Sequence, residues 1–240
     1  MIGAGPAVPE EAQPRTRQII PRPARYRRGG PPPWASSRVF DQLRLAEVRD
    51  ALGELSADRG ELSRDAGGVV RAPGSLDAAV LVPLFEEAGE VRVVLTRRAA
   101  DLHRHRSEVA FPGGMIDPGE HARHAALREA HEEIGLDPLA VEVLAELPAT
   151  RTSSSASRIT PYVGALSERP LLAPNAAEVE RVLDVTLRHL ADGGVYRQEL
   201  WRLPGGNGEQ RMDLFELEED TIWGATARIL FNLLSVISGK

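Results

Sequence analysis

The chain has 240 residues, 42% of them hydrophobic and 27% charged, with a formal net charge of −6. That apolar content suffices for a packed core, and the negative balance argues against a dedicated nucleic-acid binder. The absence of cysteine excludes disulfides, zinc–thiolate sites and a cysteine nucleophile, and it suits a reducing compartment.

Residues 1–35 are rich in proline, glycine and arginine and end in "RYRRGGPPPWA". No apolar period supports a core there, so a mobile extension is expected, whose removal changes turnover less than about twofold. The start lacks the apolar stretch of a secretory signal. The runs "AAVLVPLF" and "ILFNLLSVI" fall short of the roughly 18 residues a membrane span needs. The expectation is a cytoplasmic protein with no membrane and no nucleic-acid partner.

Ser36 or Ser37 can cap a helix over "RVFDQLRLAEVRDALGEL", whose apolar residues recur at helical spacing. Residues 58–75 read as a linker, so residues 36–74 form a helix and linker ahead of a domain at 75–240. The pattern then changes period. "AAVLVPLFEEAGEVRVVLTRRA" predicts two strands joined by a turn at Ala88-Gly89. Further strands are expected in "VEVLAELPA", "RITPYVGAL", "VERVLDVTL", "RQELWRL" and "MDLFEL", and a buried helix in "ATARILFNLLSVI". Strands mixed with a few helices imply an α/β or α+β domain.

The stretch "FPGGMIDPGEHARHAALREAHEEIGL" carries the chemistry. Asp117-Pro118-Gly119 is turn chemistry, residues 121–134 read as a helix, and Gly135 suits a left-handed cap. Advancing about 100° per residue places Ala126, Ala130, Ile134 and Leu127 on a core face. Glu129, Glu132 and Glu133 fall on a neighbouring arc with Ala122 and Ala125, two small residues expected to leave room for a substrate. Like charges at these spacings cost a few tenths of a kcal/mol per pair, a penalty that a multivalent cation reverses. All-oxygen ligands suit Mg²⁺ or Mn²⁺. Taken alone, the glutamates read more readily as a solvated acidic face. His121, His124 and His131 on the third arc read as surface histidines rather than a zinc site.

The full spacing decides between those alternatives. Gly114, Glu120, Arg128-Glu129-Ala130, Glu132-Glu133 and Gly135-Leu136 reproduce G-x5-E-x7-R-E-U-x-E-E-x-G-U, with U aliphatic and Ala130 a small choice for it. The chain therefore resembles the Nudix hydrolases from about residue 75 to the C-terminus. The resemblance implies a mixed β-sheet sandwiched between helices, and metal-dependent hydrolysis of a nucleoside diphosphate linked to another group. It implies that Glu129, Glu132 and Glu133 hold the metals, helped by a backbone carbonyl at Gly113-Gly114. Glu132, Glu133 and Arg128 would be the catalytic set, with Arg128 orienting a glutamate. Glu120, Gly114 and Gly135 would shape the loop and helix end.

Upstream, "VLTRRAADLHRHRSEVAFPGG" resembles the extra motif of the coenzyme A pyrophosphatases, L-L-T-x-R-[SA]-x3-R-x3-G-x3-F-P-G-G. His103 stands where that motif has arginine, and Ser107 where it has glycine. Arg98, His103, Arg104 and Arg106 are the substrate-binding candidates, since arginine's planar fork matches phosphate oxygens. Histidine, with an ordinary pKa of roughly 6.5, is mostly neutral at about pH 7.5, so Arg104 or Arg106 is expected to take over the contact at that gap. The resemblance implies a small nucleotide substrate like coenzyme A. The alternatives are a general nucleoside-diphosphate hydrolase (ADP-ribose, dinucleotides or nucleotide triphosphates) and a non-catalytic binder of the same fold. A homodimer stays open. Glu178, in "NAAEVERV", reads as a surface glutamate rather than a further metal ligand.

Overall fold

The computed structural model describes residue 18 and residues 20–58, 77–102, 106–151, 157–202 and 208–240. His103, Arg104 and most of the expected linker at 58–75 lie outside the described residues.

The main sheet starts from a hairpin, β2 (Ala78–Glu87) and β3 (Glu90–Arg98). Ala88 and Gly89 both have positive φ, 51° and 80°, as a two-residue hairpin turn requires. The hairpin pairs only near its turn, from Leu84 opposite Val93 to Glu87 opposite Glu90. Farther out the two strands splay. Into the gap run β4 (Val109–Ala110), paired to β3, and β5 (Gly113–Met115), paired to β2. On its other side β2 pairs parallel with β8 (Arg158–Ala165), which carries β6 (Glu142–Glu146) and β7 (Thr150–Arg151) antiparallel. The far edge is β9 (Val179–Thr186) on β3. The sheet is mixed, as expected.

Strand alternation sends its side chains into two cores. Ala79, Leu81, Phe85 and Val94 pack against α2 (Ala122–Ile134). Val82, Leu84, Val93 and Leu95 pack on the opposite face against α1 (Leu45–Asp58), α3 (Leu187–Ala191) and α4 (Gly224–Ile237). The result is helices on both faces of one sheet. In α1 the expected helix starts later than its pattern suggested: Val39–Asp41 is a 3-10 turn, and the Ser37 hydroxyl accepts from the Val39 N–H.

A second, antiparallel sheet joins β1 (Tyr26–Arg28), β10 (Tyr196–Trp201), β11 (Gln210–Glu216) and β12 (Thr221–Ile222). It corrects one expectation. The described part of the proline- and arginine-rich start is not a mobile extension: Tyr26–Arg28 pairs with Glu199–Trp201, and Trp34 is buried in the second of the two cores. Its indole lies edge-on to Tyr196 and donates from Nε1 to the Ala191 carbonyl. A three-residue strand and one tryptophan carry no period, which is why composition alone pointed elsewhere.

Ala122 and Ala125 correct a second expectation. Both are fully buried under α2, against the sheet, so they leave no room for a substrate. Small side chains there let the helix lie close on β2 and β5 instead.

Candidate active site

The splayed hairpin brings the glycine turn under the acidic face of α2. Gly113 donates its N–H to Glu133 Oε2 at 3.1 Å. A Cβ on Gly114 would sit 2.5 Å from the Glu129 carboxyl carbon, so any side chain there displaces that carboxylate. A Cβ on Gly113 would strike the Ala79 carbonyl at 2.4 Å. The two glycines are a packing requirement of the loop against strand and helix alike.

Arg128 is the hub. It grips both oxygens of Glu120, at 2.9 and 3.0 Å, and donates to Glu129 at 2.8 Å, Glu132 at 3.1 Å and the Met115 carbonyl at 3.1 Å. Glu120 also accepts from the Asp117 N–H, closing the turn before the helix. The guanidinium's grip holds the Glu120 carboxyl below the ordinary range. Gly135 is left-handed, with φ 68°, and its N–H closes the helix on the His131 carbonyl.

Glu129 and Glu133 behave oppositely to Glu120. Desolvation raises the Glu129 pKa, outweighing the Arg128 contact. Glu133, only 3% exposed, is pushed up to about 7 by burial, despite the Gly113 N–H and the Arg98 guanidinium 3.3 Å away. The Glu178 charge raises both. Glu132 stays open to solvent, 54% exposed.

Glu178 is the residue to which sequence reasoning gave too little weight. The loop between β8 and β9 folds back over the end of α2, where Ala173 and Asn175 donate to the Ile134 and Glu133 carbonyls. Asn175 Oδ1 then accepts from the Ala177 N–H, an Asx turn that brings partly buried Glu178 to the carboxylates. The signal was "PNAA", turn chemistry placed just ahead of a strand.

Of the substrate-binding candidates, Arg98 reaches the carboxylates and Arg106 is exposed at the base of its loop. Ser107 is buried with φ 57°, and its hydroxyl has no partner among the described residues. The left-handed backbone accounts for glycine at this place in the related motif. We expect Ser107→Gly to stabilise the protein by about 1 kcal/mol, since relief of αL strain and of an orphaned hydroxyl outweighs the glycine entropy cost. Thermal melting should show a rise of roughly 2–4 °C; a fall would mean that the hydroxyl has a partner in the loop.

Among the described residues no three histidine or acidic side chains already converge as a cage, and His121 and His124 simply stack edge to face. The fit to a cation rests on donor chemistry. Two desolvated carboxylates, each raised further by neighbouring carboxylate charge, with an exposed third beside them, form an all-oxygen set suited to a hard divalent ion. In this arrangement Arg128 supplies the counter-charge that bridges Glu129 and Glu132.

A family profile described as "NUDIX domain" matches residues 75–182. The chain is 39% identical over 170 residues to Nudix hydrolase 22, chloroplastic, of Arabidopsis thaliana, covering 67% of this chain and 55% of that protein. It spans about half the length of that relative and of Nudix hydrolase 3 of Caenorhabditis elegans. It is 35% identical over 165 residues to the uncharacterized Nudix hydrolase NudL of Pectobacterium atrosepticum, covering 68% of this chain and 83% of that protein. A MutT/nudix family protein from Enterococcus faecalis shares the fold at a TM-score of 0.50, with 17% identity over 82% of this chain and 75% of that one. Box spacing, the glycine turn beneath it and a 35% identical relative matched over 83% of its length agree: the chain belongs to the Nudix hydrolase family.

Proposed function

We propose that the chain is a divalent-metal-dependent pyrophosphohydrolase of nucleoside diphosphate derivatives, and that coenzyme A or an acyl-coenzyme A is its substrate. The products would be 3′,5′-ADP and a 4′-phosphopantetheine compound. The observation that carries the reading is Arg98: the arginine of the upstream motif lies against Glu133 of the box, so the two motifs share one site.

Glu129, Glu132 and Glu133, with a backbone oxygen at Gly113, would hold Mg²⁺ or Mn²⁺. Bound there, such an ion neutralises phosphate oxygens and supplies a nucleophilic water near neutral pH. The chain's own part is positional and electrostatic. Arg128 fixes Glu129 and Glu132 while Glu120 locks Arg128. Arg98 offers Nε, which finds no acceptor among the described residues, to a substrate phosphate oxygen. Arg106, exposed beside the motif's departures, together with Arg104, would recognise the 3′-phosphate that distinguishes coenzyme A from most dinucleotides. In hydrolysis the water oxygen bonds to one phosphorus and the bridging P–O bond breaks, leaving a phosphate on each product.

A substrate panel tests this directly, with Mg²⁺, with Mn²⁺ and with EDTA. Turnover should vanish in EDTA, and kcat/KM should be higher for coenzyme A than for dephospho-coenzyme A or ADP-ribose. Arg106→Ala should weaken coenzyme A use by roughly one to a few kcal/mol, the scale of a charge-assisted hydrogen bond. If ADP-ribose is the best substrate and Arg106→Ala changes nothing, the general nucleoside-diphosphate activity replaces the coenzyme A one. If metal-supplied protein hydrolyses nothing in the panel, the non-catalytic alternative gains.

A further inference from the structure

We propose that Asp220 is a positioning residue: through Arg97, opposite a bulge in β9, it holds Arg98 at the candidate catalytic carboxylates, and Gln18 clasps the strand next to it. Arg97 and Arg98 are consecutive, and the β3–β9 register shifts between them. The extra residue, Glu180, lies in β9, so β3 keeps its alternation and its consecutive side chains take opposite faces. Here Arg98 goes to the α2 face and Glu133, while Arg97 goes to the opposite face and pairs with Asp220 in the turn before β12. Arg97 is 3% exposed and Asp220 1%. Removing two charges from water costs several kcal/mol per ion, and a buried pair often does no better for stability than an apolar one. What this pair adds is geometric definition. Arg181 takes the second Asp220 oxygen, and Glu180 takes Arg97 Nε at 3.1 Å.

The bulge is also where three parts of the site meet. The Arg98 N–H donates to the Glu108 carbonyl at 3.0 Å, and the Ser107 N–H donates to the Arg98 carbonyl at 3.1 Å. The Ala99 N–H donates to the Glu178 carbonyl at 2.8 Å. A shift there therefore moves Arg98, the Ser107 loop and Glu178 together. On the outer side, the Gln18 amide imitates a paired strand: Nε2 donates to the Thr221 carbonyl and Oε1 accepts from the Thr221 N–H, each at 2.8 Å. The amino-terminal segment thus reaches the strand that follows Asp220.

Two measurements on the full chain test the brace. The first, amide hydrogen exchange in EDTA, does not depend on any activity. Asp220→Asn should accelerate exchange at the Arg98 and Ser107 amides by about tenfold or more, with the Val93 amide unchanged. Tyr196→Phe, which removes a buried hydrogen bond to Asp213 two strands away in the same sheet, should leave the Arg98 and Ser107 amides unchanged. The second measurement rests on the proposed pyrophosphohydrolase activity and compares backgrounds. Asp220→Asn should lower kcat/KM about tenfold in wild type but less than about twofold in Arg98→Ala, because the effect passes through Arg98. Equal losses in both backgrounds, or unchanged exchange at Arg98 and Ser107, overturn the proposal and leave the hydrolase assignment standing. A wild type inactive on the whole panel removes that assignment, and exchange still decides on the brace. If Asp220→Asn does not fold, Gln18→Ala decides. It keeps the buried pair and should give the same pattern at about threefold, and no acceleration at either amide overturns the proposal.

Discussion

Glu133→Gln is expected to lower turnover by about a hundredfold, on the order of 2.7 kcal/mol of barrier, while making the metal-free protein more stable above pH 7. The two effects have one cause. Glu133 is 3% exposed, and burial raises its pKa from 4.5 to about 7. Between those values the folded protein binds more protons than the unfolded chain, so this group's contribution makes stability fall as pH rises through that window. Above about pH 7 the loss is complete and levels off. Glutamine cannot titrate, so it removes the slope. It still accepts from the Gly113 N–H, although its NH₂ then faces Arg98. The net gain at pH 8 should be on the order of 2 kcal/mol. Denaturant unfolding of both proteins in EDTA at pH 5 and pH 8 isolates the term as a difference, free of opposing groups such as Glu120. Turnover near wild type with saturating Mg²⁺ would remove Glu133 from the catalytic set. A wild-type-minus-variant stability difference that does not change with pH would show that the carboxyl is not desolvated.

What was legible in the sequence was what is local. The β2–β3 hairpin follows from two apolar runs around Ala88-Gly89, and α2 from its period and Gly135. The box residues are spaced by one turn and one helix, so their convergence could be read directly. The late strands were also visible as runs, but not their division into two sheets, because pairing partners such as Tyr26 and Trp201 are far apart in the chain. The same limit hid the Arg97–Asp220 pair, whose members are separated by 123 positions. Helical geometry placed Ala122 and Ala125 on the right arc and misjudged what lay above it, since a wheel shows direction but not the sheet it meets. Glu178 reaches the site because loop N–H groups of Ala173 and Asn175 donate to carbonyls at the α2 terminus, a backbone contact that the turn signal at Asn175 does not specify.

Trp34→Ala should cost about 3–5 kcal/mol of stability, and deletion of residues 1–35 should prevent stable folding, where composition alone predicts indifference. Trp34 is 1% exposed, with its ring centroid 5.3 Å from both Tyr196 and Phe231. Tyr196 in turn contacts Phe215, so the indole closes a cluster that joins the second sheet to α4. Its removal leaves a cavity the size of a large aromatic ring, and the Ala191 carbonyl loses its donor. The deletion removes more. It strips β1 from β10, exposing that strand's edge, and takes Arg22 from buried Glu199, which among the described residues then keeps the Arg197 ion pair and the Trp201 donor. A buried carboxylate that loses one of its charged partners is penalised beyond the lost contact itself. Because Trp34 lies in the core on the face of the sheet away from α2, the surviving folded fraction of Trp34→Ala should turn over within about twofold of wild type, a barrier change under roughly half a kcal/mol. Urea unfolding midpoints measure the first effect, and activity assayed well below the transition measures the second. If the truncated protein instead keeps its unfolding midpoint, the amino-terminal segment is a passenger on the fold, and the Gln18 clasp on β12 fails with it.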